Sequence, residues 1–471
     1  VPSVFVVLER LPLLGNGKVD RLALPEPEFS GVVFRAPVTA VEVVLAEVFA
    51  DVLGVDRVGV DDDFFVSGGD SIRSIQVVAR ARVRGVVVTP KLIFQRRTVA
   101  GLAAVAVSGG AGRVVAELPG GGVGEVPLPP AGRWLLGLGG RFGRYAMSVV
   151  LRLPVGVDEA GLSVVVAALL DRHDVLRSRL TAAGSLWVQP PGAVVVSSVL
   201  RRVSGDGVDV AAVLDAAAGR LDPAGGVMVQ FVWVDGPGAG RLVVVAHHLV
   251  VDGVSWRVLV PDLAVAWDQV SRGVPVELAP VGTSLRRWSH ALVREAARRV
   301  GELGFWRGVV GGGDAVLGRR RFDPVVDTAA SVVSVPVVLS ADFVGPVVDS
   351  FGCGVDEALL TGLVVALTRW SWGRGRVVSS LFRLEGHGRQ EELLAGADLS
   401  RTVGWFTSMY PVRLQIDDPH AVGRAVKQVK QQLRSVPDRG IGYGLLRYLN
   451  DDTAAVLAAE AVPQIGFNYL G

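Results

Sequence analysis

Leu242-Val243-Val244-Val245-Ala246-His247-His248-Leu249-Val250-Val251-Asp252-Gly253-Val254-Ser255-Trp256 decides how this chain is read. Leu242 to Ala246 is continuously aliphatic and β-branched, the pattern of a strand covered on both faces. Asp252-Gly253 is a turn signal, and Ser255 is a suitable N-cap for a helix that follows. A histidine is thereby set at the mouth of a core. Its imidazole titrates closer to neutrality than any other side chain, so it can act as general acid or base. Taken alone, a His-His pair reads at least as readily as packed core.

Working outward, residues 125–471 alternate two patterns. Apolar β-rich runs fall at 147–153, 226–234, 242–248, 332–339 and 410–416, and helical periodicity at 159–172, 288–306, 355–370 and 421–436. That alternation argues an α/β architecture. Pro261 lies inside the segment after Ser255, where it removes a helix hydrogen bond and is expected to bend the chain.

Residues 38–107 read as a small helical domain. Thr39 can cap a helix carrying Val43, Val44, Ala46 and Phe49 at helical spacing and ending near Leu53-Gly54. A loop over 55–69 leads to Gly68-Gly69-Asp70-Ser71-Ile72, and Ser71 opens a second helix with Ile72, Ile75, Val78 and Ala79 on its apolar face. A serine there is an N-cap, or else a hydroxyl offered at the positive end of a helix dipole, where a phosphate can be received. The two glycines keep the approach open. Pro25, Pro27 and Pro37 mark a linker before this domain, and residues 108–124, rich in Gly, Ala and Val, read as a flexible linker after it.

Composition narrows the function classes. A chain of 471 residues is long enough for two to three domains. Lys and Arg total 48 against 46 Asp and Glu, a net charge of +2, so electrostatics offers no case for nucleic acid or a membrane surface as partner. One cysteine, Cys353, excludes an intrachain disulfide and a cysteine-rich metal site, which suits a reducing cytoplasm; it reads as a small buried hydrophobe. No run reaches the roughly 18 to 20 apolar residues of a membrane-spanning helix, so the mean hydropathy of +0.43 reports large Val-rich cores.

The pattern HHxxxDGxSW at 247–256 resembles the core motif of condensation and epimerization domains of non-ribosomal peptide synthetases, in the chloramphenicol-acetyltransferase-like superfamily. Gly68-Gly69-Asp70-Ser71-Ile72 resembles the phosphopantetheine attachment motif of peptidyl carrier domains, with the aspartate that such carriers tend to show ahead of an epimerization domain. Glu385-Gly386-His387-Gly388-Arg389, Val403-Gly404-Trp405-Phe406-Thr407 and Phe467-Asn468-Tyr469-Leu470-Gly471 resemble later signatures of epimerization domains, in the family's order. Residues 1–26, with Lys18 in Asn16-Gly17-Lys18, resemble the last core motif of adenylation domains. Without the rest of that domain Lys18 has no pocket, and no adenylation activity is expected.

The resemblance implies a fragment of a longer enzyme: an adenylation tail at 1–26, a four-helix carrier domain at 38–107 and a two-lobed α/β epimerization domain at 125–471, with a C-terminal part missing beyond Gly471. It implies 4'-phosphopantetheine on Ser71 and no metal. It also implies an upstream adenylation domain, a downstream condensation domain and a phosphopantetheinyl transferase as partners. The substrate would be an aminoacyl or peptidyl thioester, whose Cα–H is acidic because negative charge spreads onto the carbonyl oxygen. Inverting that carbon takes two acid/base groups on opposite faces, or one base with a mobile substrate. The second histidine of the motif, His248, and Glu385 make the pair. His247 would pack against or orient His248. Asp252 would be structural, paired with Arg177 or Arg179, and Tyr443, Asn468 and Tyr469 would line the site. A condensation domain shares the histidine motif, and a silent carrier-docking domain shares the fold; both stay open.

Overall fold

The structure is a computed structural model that describes residues 34–69, 71–108, 115–205, 207–236, 240–314, 316–318, 320–323, 325–373 and 380–469. The adenylation-like tail with Lys18, and also Asp70, Leu470 and Gly471, lie outside the described residues. The chain divides into two compact units, residues 1–111 and 112–471.

In the first unit, helices α1 (Ala40–Leu53), α2 (Ser71–Val83), α3 (Pro90–Arg96) and α4 (Val99–Ala103) surround a core built on Leu45, Phe49, Phe64, Val77 and Ile93, and a two-residue ladder joins β1 (Val86–Val87) to β2 (Val107–Ser108). The expected cap is present. Thr39 Oγ1 accepts the Glu42 N–H while the Glu42 carboxylate accepts the Thr39 N–H, and Gly54 ends the helix in the left-handed region. Such a capping box contributes about 1 kcal/mol.

The second unit starts earlier than its sequence suggests. Residues 115–123, read as part of a flexible linker, are tied down. The Glu117 carboxylate accepts the N–H and hydroxyl of Ser284, and Arg286 donates to the carbonyls of Pro119 and Gly121. Small residues gave no hint of partners more than 160 positions away.

Elements follow in the order β3 (Gly124–Pro127), α5 (Pro130–Leu138), β4 (Ala146–Arg152), α6 (Glu159–Arg172), β5 (Ser178–Leu180), β6 (Ser185–Val188), α7 (Val196–Val199), β7 (Leu200–Ser204), α8 (Val210–Ala218), β8 (Val229–Asp235), β9 (Arg241–His247) and α9 (Gly253–Ser271). Then come α10 (Leu285–Arg298), α11 (Leu303–Val310), α12 (Ala341–Phe351), α13 (Val355–Trp372), β10 (Ser380–Gly386), β11 (Ser408–Leu414), α14 (Val422–Arg434), α15 (Ile441–Tyr448), α16 (Asp451–Ala458) and β12 (Ile465–Phe467).

The first lobe is built on a four-stranded sheet of order β4-β9-β8-β7. Strand β9 reads as an unbroken aliphatic run because both faces are covered: Leu242, Val244 and Ala246 enter the main core, and Val243 and Val245 pack against α8. The second lobe has the sheet β11-β10-β12 beneath α13 and α14, with Phe382, Leu384, Val412 and Leu414 in its core. Trp405 and Phe406 return into the core of the first lobe, which stitches the two together.

Two expected elements differ. The helical pattern at 288–306 is two helices, α10 and α11, joined by a short 3-10 turn at Val300–Glu302 where Gly301 interrupts. Residues 332–339 form no strand: Val333, Val335, Val337 and Val338 are exposed outside any regular element. β-propensity makes a strand only where a neighbouring edge supplies hydrogen bonds, and no ladder to this segment occurs among the described residues.

Candidate functional site

Asp252, not Ser255, caps α9. Its Oδ1 accepts the N–H and hydroxyl of Ser255, which stands at the third helical position, and the Asp252 N–H donates to Ser255 Oγ. The helix continues through Pro261, which sits on its exposed side. The capped turn ends β9 abruptly and splits the two histidines. His247 is fully buried, with Nε2 at 2.8 Å from the Phe142 carbonyl and Nδ1 accepting the Leu249 N–H at 3.2 Å. Those partners require Nε2–H, hence a neutral ring with no position left for chemistry. Burial pushes its pKa down to about 4.

His248 points elsewhere. Its ring lies 5.2 Å from that of Tyr145, nearly parallel at 14°, and 4.2 Å from that of Trp405, which arrives from the second lobe. Burial lowers the pKa of this imidazole as well, against the backbone of His248 and Val251 and the Asp252 charge, and its buried Nδ1 has no hydrogen-bond partner. A neutral, half-buried imidazole with a bare nitrogen can take up a proton.

Asp252 is buried and paired with Arg389 at 3.1 Å, not with Arg177 or Arg179. Arg177 is spent on the carbonyls of Leu170, Asp171 and Gln189 and on the Asp174 carboxylate, at the C-terminal end of α6, and Arg179 is exposed. Asp252 Oδ2 further accepts the Phe406 N–H at 3.1 Å. Arg389 also donates to the carbonyls of Leu399 and Thr402 and stacks 3.9 Å over the Phe406 ring. Bound at both of its terminal nitrogens, the guanidinium fastens β10's exit to β9's exit, although its Nε is buried without a partner.

That exit is Glu385-Gly386-His387-Gly388-Arg389. Gly388 has φ +66° and a Cβ there would lie 1.7 Å from the Phe406 carbonyl oxygen, so only glycine fits. His387 Nδ1 accepts the Arg389 N–H at 3.1 Å, and desolvation lowers its pKa to about 4. Glu385, partly exposed, accepts a hydrogen bond from Asn468 Nδ2 at 2.8 Å and has Arg383 at 3.8 Å. Burial raises its pKa, and the Arg383 charge opposes that. Arg383 lies 5.0 Å over the Trp134 ring.

Tyr145 connects the two sides. It stacks on His248, and its phenol is held above the ordinary value by burial and then by the Glu385 charge. Nothing in its sequence neighbourhood singled it out; an aromatic residue immediately before a strand that pairs with the histidine strand was the available signal. Tyr443 packs edge-on against Trp306 at 5.5 Å, in the cluster of α11, α15 and α16, so its ring serves a core. Tyr469 is partly exposed beside Asn468. Among the described residues no cluster of His, Cys, Asp and Glu could hold a metal, and no helix is long and apolar enough to cross a membrane.

In the first unit, Ser71 opens the 13-residue α2, whose first backbone N–H groups lack helical partners. Gly69 is needed for packing: its N–H donates to the Phe64 carbonyl at 2.8 Å, and a Cβ would lie 2.4 Å from the Phe64 ring. Gly68, at φ +95°, makes the turn that brings it there. A helix start reached through two glycines fits a phosphate-bearing group.

A family model described as a condensation domain matches residues 126–470, and one described as a phosphopantetheine attachment site matches residues 43–106. The whole chain is 38% identical over 495 residues to a linear gramicidin synthase of Brevibacillus parabrevis, and 36% identical over 504 residues to chondramide synthase cmdD of Chondromyces crocatus. It spans 10% and 12% of their lengths. The epimerization domain from the third module of tyrocidine synthetase B matches with a TM-score of 0.59 at 25% identity, over 74% of this chain and 82% of that one. The X-domain from teicoplanin biosynthesis shares the fold, with a TM-score of 0.54 at 20% identity over 68% of this chain and 74% of its own.

Proposed function

This chain belongs to the condensation-domain family of non-ribosomal peptide synthetases, with a 4'-phosphopantetheine carrier domain ahead of the condensation-type domain, and from that premise we propose that the larger domain epimerizes an aminoacyl or peptidyl thioester at Cα, from L to D. The observation that carries the reading is Glu385: a carboxyl held by Asn468 on the second lobe, acting electrostatically on the tyrosine that stacks against His248. Forming an amide asks for no second acid/base group, whereas inverting a carbon in a substrate that stays put does.

The attachment point for the arm is Ser71, and the domain ranges are 38–107 for the carrier and 125–471 for the epimerization domain, to which residues 115–123 add a segment packed against α10. Attached there, the arm supplies the acyl group as a thioester, with an acidified Cα–H. His248, held neutral by burial, exchanges a proton on one face of Cα, and Glu385 exchanges one on the other. Each inversion begins with one group deprotonated and the other protonated and ends with those states exchanged, so the two directions are symmetric, no net proton is consumed, and exchange with solvent restores the starting state. His247 braces His248 through the shared turn, Asp252 and Arg389 hold the turns in register, and Asn468 and Tyr469 line the Glu385 side. Adenylation upstream, condensation downstream and a phosphopantetheinyl transferase complete the set of partners.

The test starts from apo protein. A phosphopantetheinyl transferase and synthetic L- or D-aminoacyl coenzyme A load the carrier in D2O, and the released acid is analysed for chirality and deuterium. Mixed chirality from either enantiomer, with deuterium at Cα, is expected, and Ser71→Ala should accept no arm. Retained chirality together with a new amide, when a second loaded carrier is supplied, would replace this reading by condensation.

A further inference from the structure

The aromatic cluster around His248 is more elaborate than packing a lone ring requires. Tyr145 stands immediately before β4, whose Ala146 pairs with His247. Its carbonyl accepts the His248 N–H at 2.8 Å, and its ring lies nearly parallel to the imidazole. Trp405 is 4.2 Å from the imidazole and 5.9 Å from Tyr145, so the three centroids make a triangle and the imidazole is walled on two sides. The geometry points to Tyr145 as a positioning residue of the reaction, one whose ring holds the His248 imidazole uncharged and in a single orientation. This rests on the reading of His248 as the acid/base group.

Two opposing effects meet here. An aromatic face attracts a cation, which would favour protonation. Burial disfavours the charged form, and it outweighs the Asp252 charge and the backbone of His248 and Val251, so the imidazole lies on the lowered side of its ordinary value. The titratable neighbours are His247 and Asp252 on its own turn, Asp252 acting to raise its pKa, and the Tyr145 phenol, behind which stand Glu385 and Arg383. The phenol stays protonated through burial and the Glu385 charge, so its ring brings no anion to the imidazole.

Orientation follows from the same contact. A histidine ring rotates broadly about its last torsion unless something fixes it. Here the backbone bond from His248 N–H to the Tyr145 carbonyl sets where the histidine stands, and the Tyr145 stack, with the Trp405 ring and the backbone of His248 and Val251, sets how it is turned.

The experiment reads the ring and the hydroxyl separately. His248 is titrated by NMR in labelled protein, its signal assigned by loss in His248→Gln, alongside the pH profile of epimerization for Tyr145→Phe and Tyr145→Leu. Tyr145→Phe should leave both unchanged. Tyr145→Leu should move the His248 pKa upward, carry the acid limb of the rate profile to higher pH with it, and slow epimerization at least tenfold. Thermal midpoints are followed throughout, and should the leucine variant unfold, Tyr145→Met fills the space without a ring and is read in its place. An unchanged titration and rate in the ringless variant would overturn the inference, as would a phenylalanine variant as impaired as the leucine one, since that assigns the role to the hydroxyl. A His248 titration that responds as expected, in protein that epimerizes nothing even with Tyr145 intact, would sink the functional reading and leave the positioning role standing.

Discussion

The turns that leave β9 and β10 are built alike and deliver opposite chemistry. Each carries an imidazole whose Nδ1 accepts the N–H two residues on, Leu249 for His247 and Arg389 for His387, and desolvation takes both rings down to about 4. Both are therefore neutral braces for their turns. What differs is the neighbour presented to the cleft. After His247 comes His248, among aromatic rings and with a bare nitrogen; before His387 comes Glu385, partly exposed, held by an asparagine and faced by an arginine. The dry side lowers the pKa of a base, and burial on the wetter side raises that of an acid. The two shifts move the groups toward each other, which suits a pair that exchanges roles.

The comparison breaks first at the reactive groups. Replacing His248 by Ala or Glu385 by Gln should each slow inversion by about a hundredfold to ten-thousandfold, with stability little altered. In D2O each single variant should still exchange deuterium on one face of Cα, visible as label in one enantiomer without formation of the other. Inversion at the parental rate by Glu385→Gln would reduce the mechanism to one base centred on His248.

Next come the partners that lock the two turns together. Asp252→Ala strands the Arg389 charge, and Arg389→Ala strands Asp252; each should cost about 3 to 5 kcal/mol in denaturant unfolding. The double variant should cost less than the sum, because the stranded charge is then gone. A chain with Asp252→Ala that keeps its unfolding midpoint but loses activity would assign Asp252 to the chemistry.

The braces themselves predict an acid sensitivity. Each folded pKa of about 4 lies below the ordinary 6.5, so between those values the unfolded chain binds protons that the native one refuses. Stability is then fully present above about 6.5 and is lost as pH falls toward 4. His247→Gln should flatten that slope, measured as denaturant midpoint against pH. A slope unchanged in this variant and in His387→Gln would place the acid sensitivity elsewhere.

The smallest effect belongs to Asn468. Removing its amide takes one donor from a partly exposed carboxylate, a loss of about 1 kcal/mol, so Asn468→Ala should slow inversion about fivefold. Without that hydrogen bond the ionised carboxylate is less favoured, and the Glu385-dependent limb should move to higher pH. A shift to lower pH would mean that Asn468 favours the protonated carboxyl.

Much of this is legible in the sequence. Helix α6 occupies 159–172 as its periodicity requires, Thr39 caps α1, and β9 ends at the histidines as its apolar run and the Asp252-Gly253 turn demand. These depend on neighbours within a few residues. The partner of Asp252 was not legible: Arg177 and Arg179 were nearer in the chain, yet Arg389 stands 137 positions away and only the crossing of the two lobes brings it in. The same holds for Tyr145, whose stack on His248 follows from the pairing of β4 with β9. Residues 332–339 make the point in reverse, since five valines in eight positions make no strand without an edge to pair with.

By itself, then, the sequence determined the local grammar: which stretches are helix or covered strand, where turns fall, and which reactive side chains stand at their ends. Periodicity, capping and glycine chemistry act over short distances, so they are written where they act. The tertiary structure alone decided which of two adjacent histidines is bare, which arginine neutralises the buried aspartate, and which aromatic ring touches the base. Those outcomes depend on desolvation and on contacts between strands far apart in the chain, and such contacts exist only once the lobes have closed on each other.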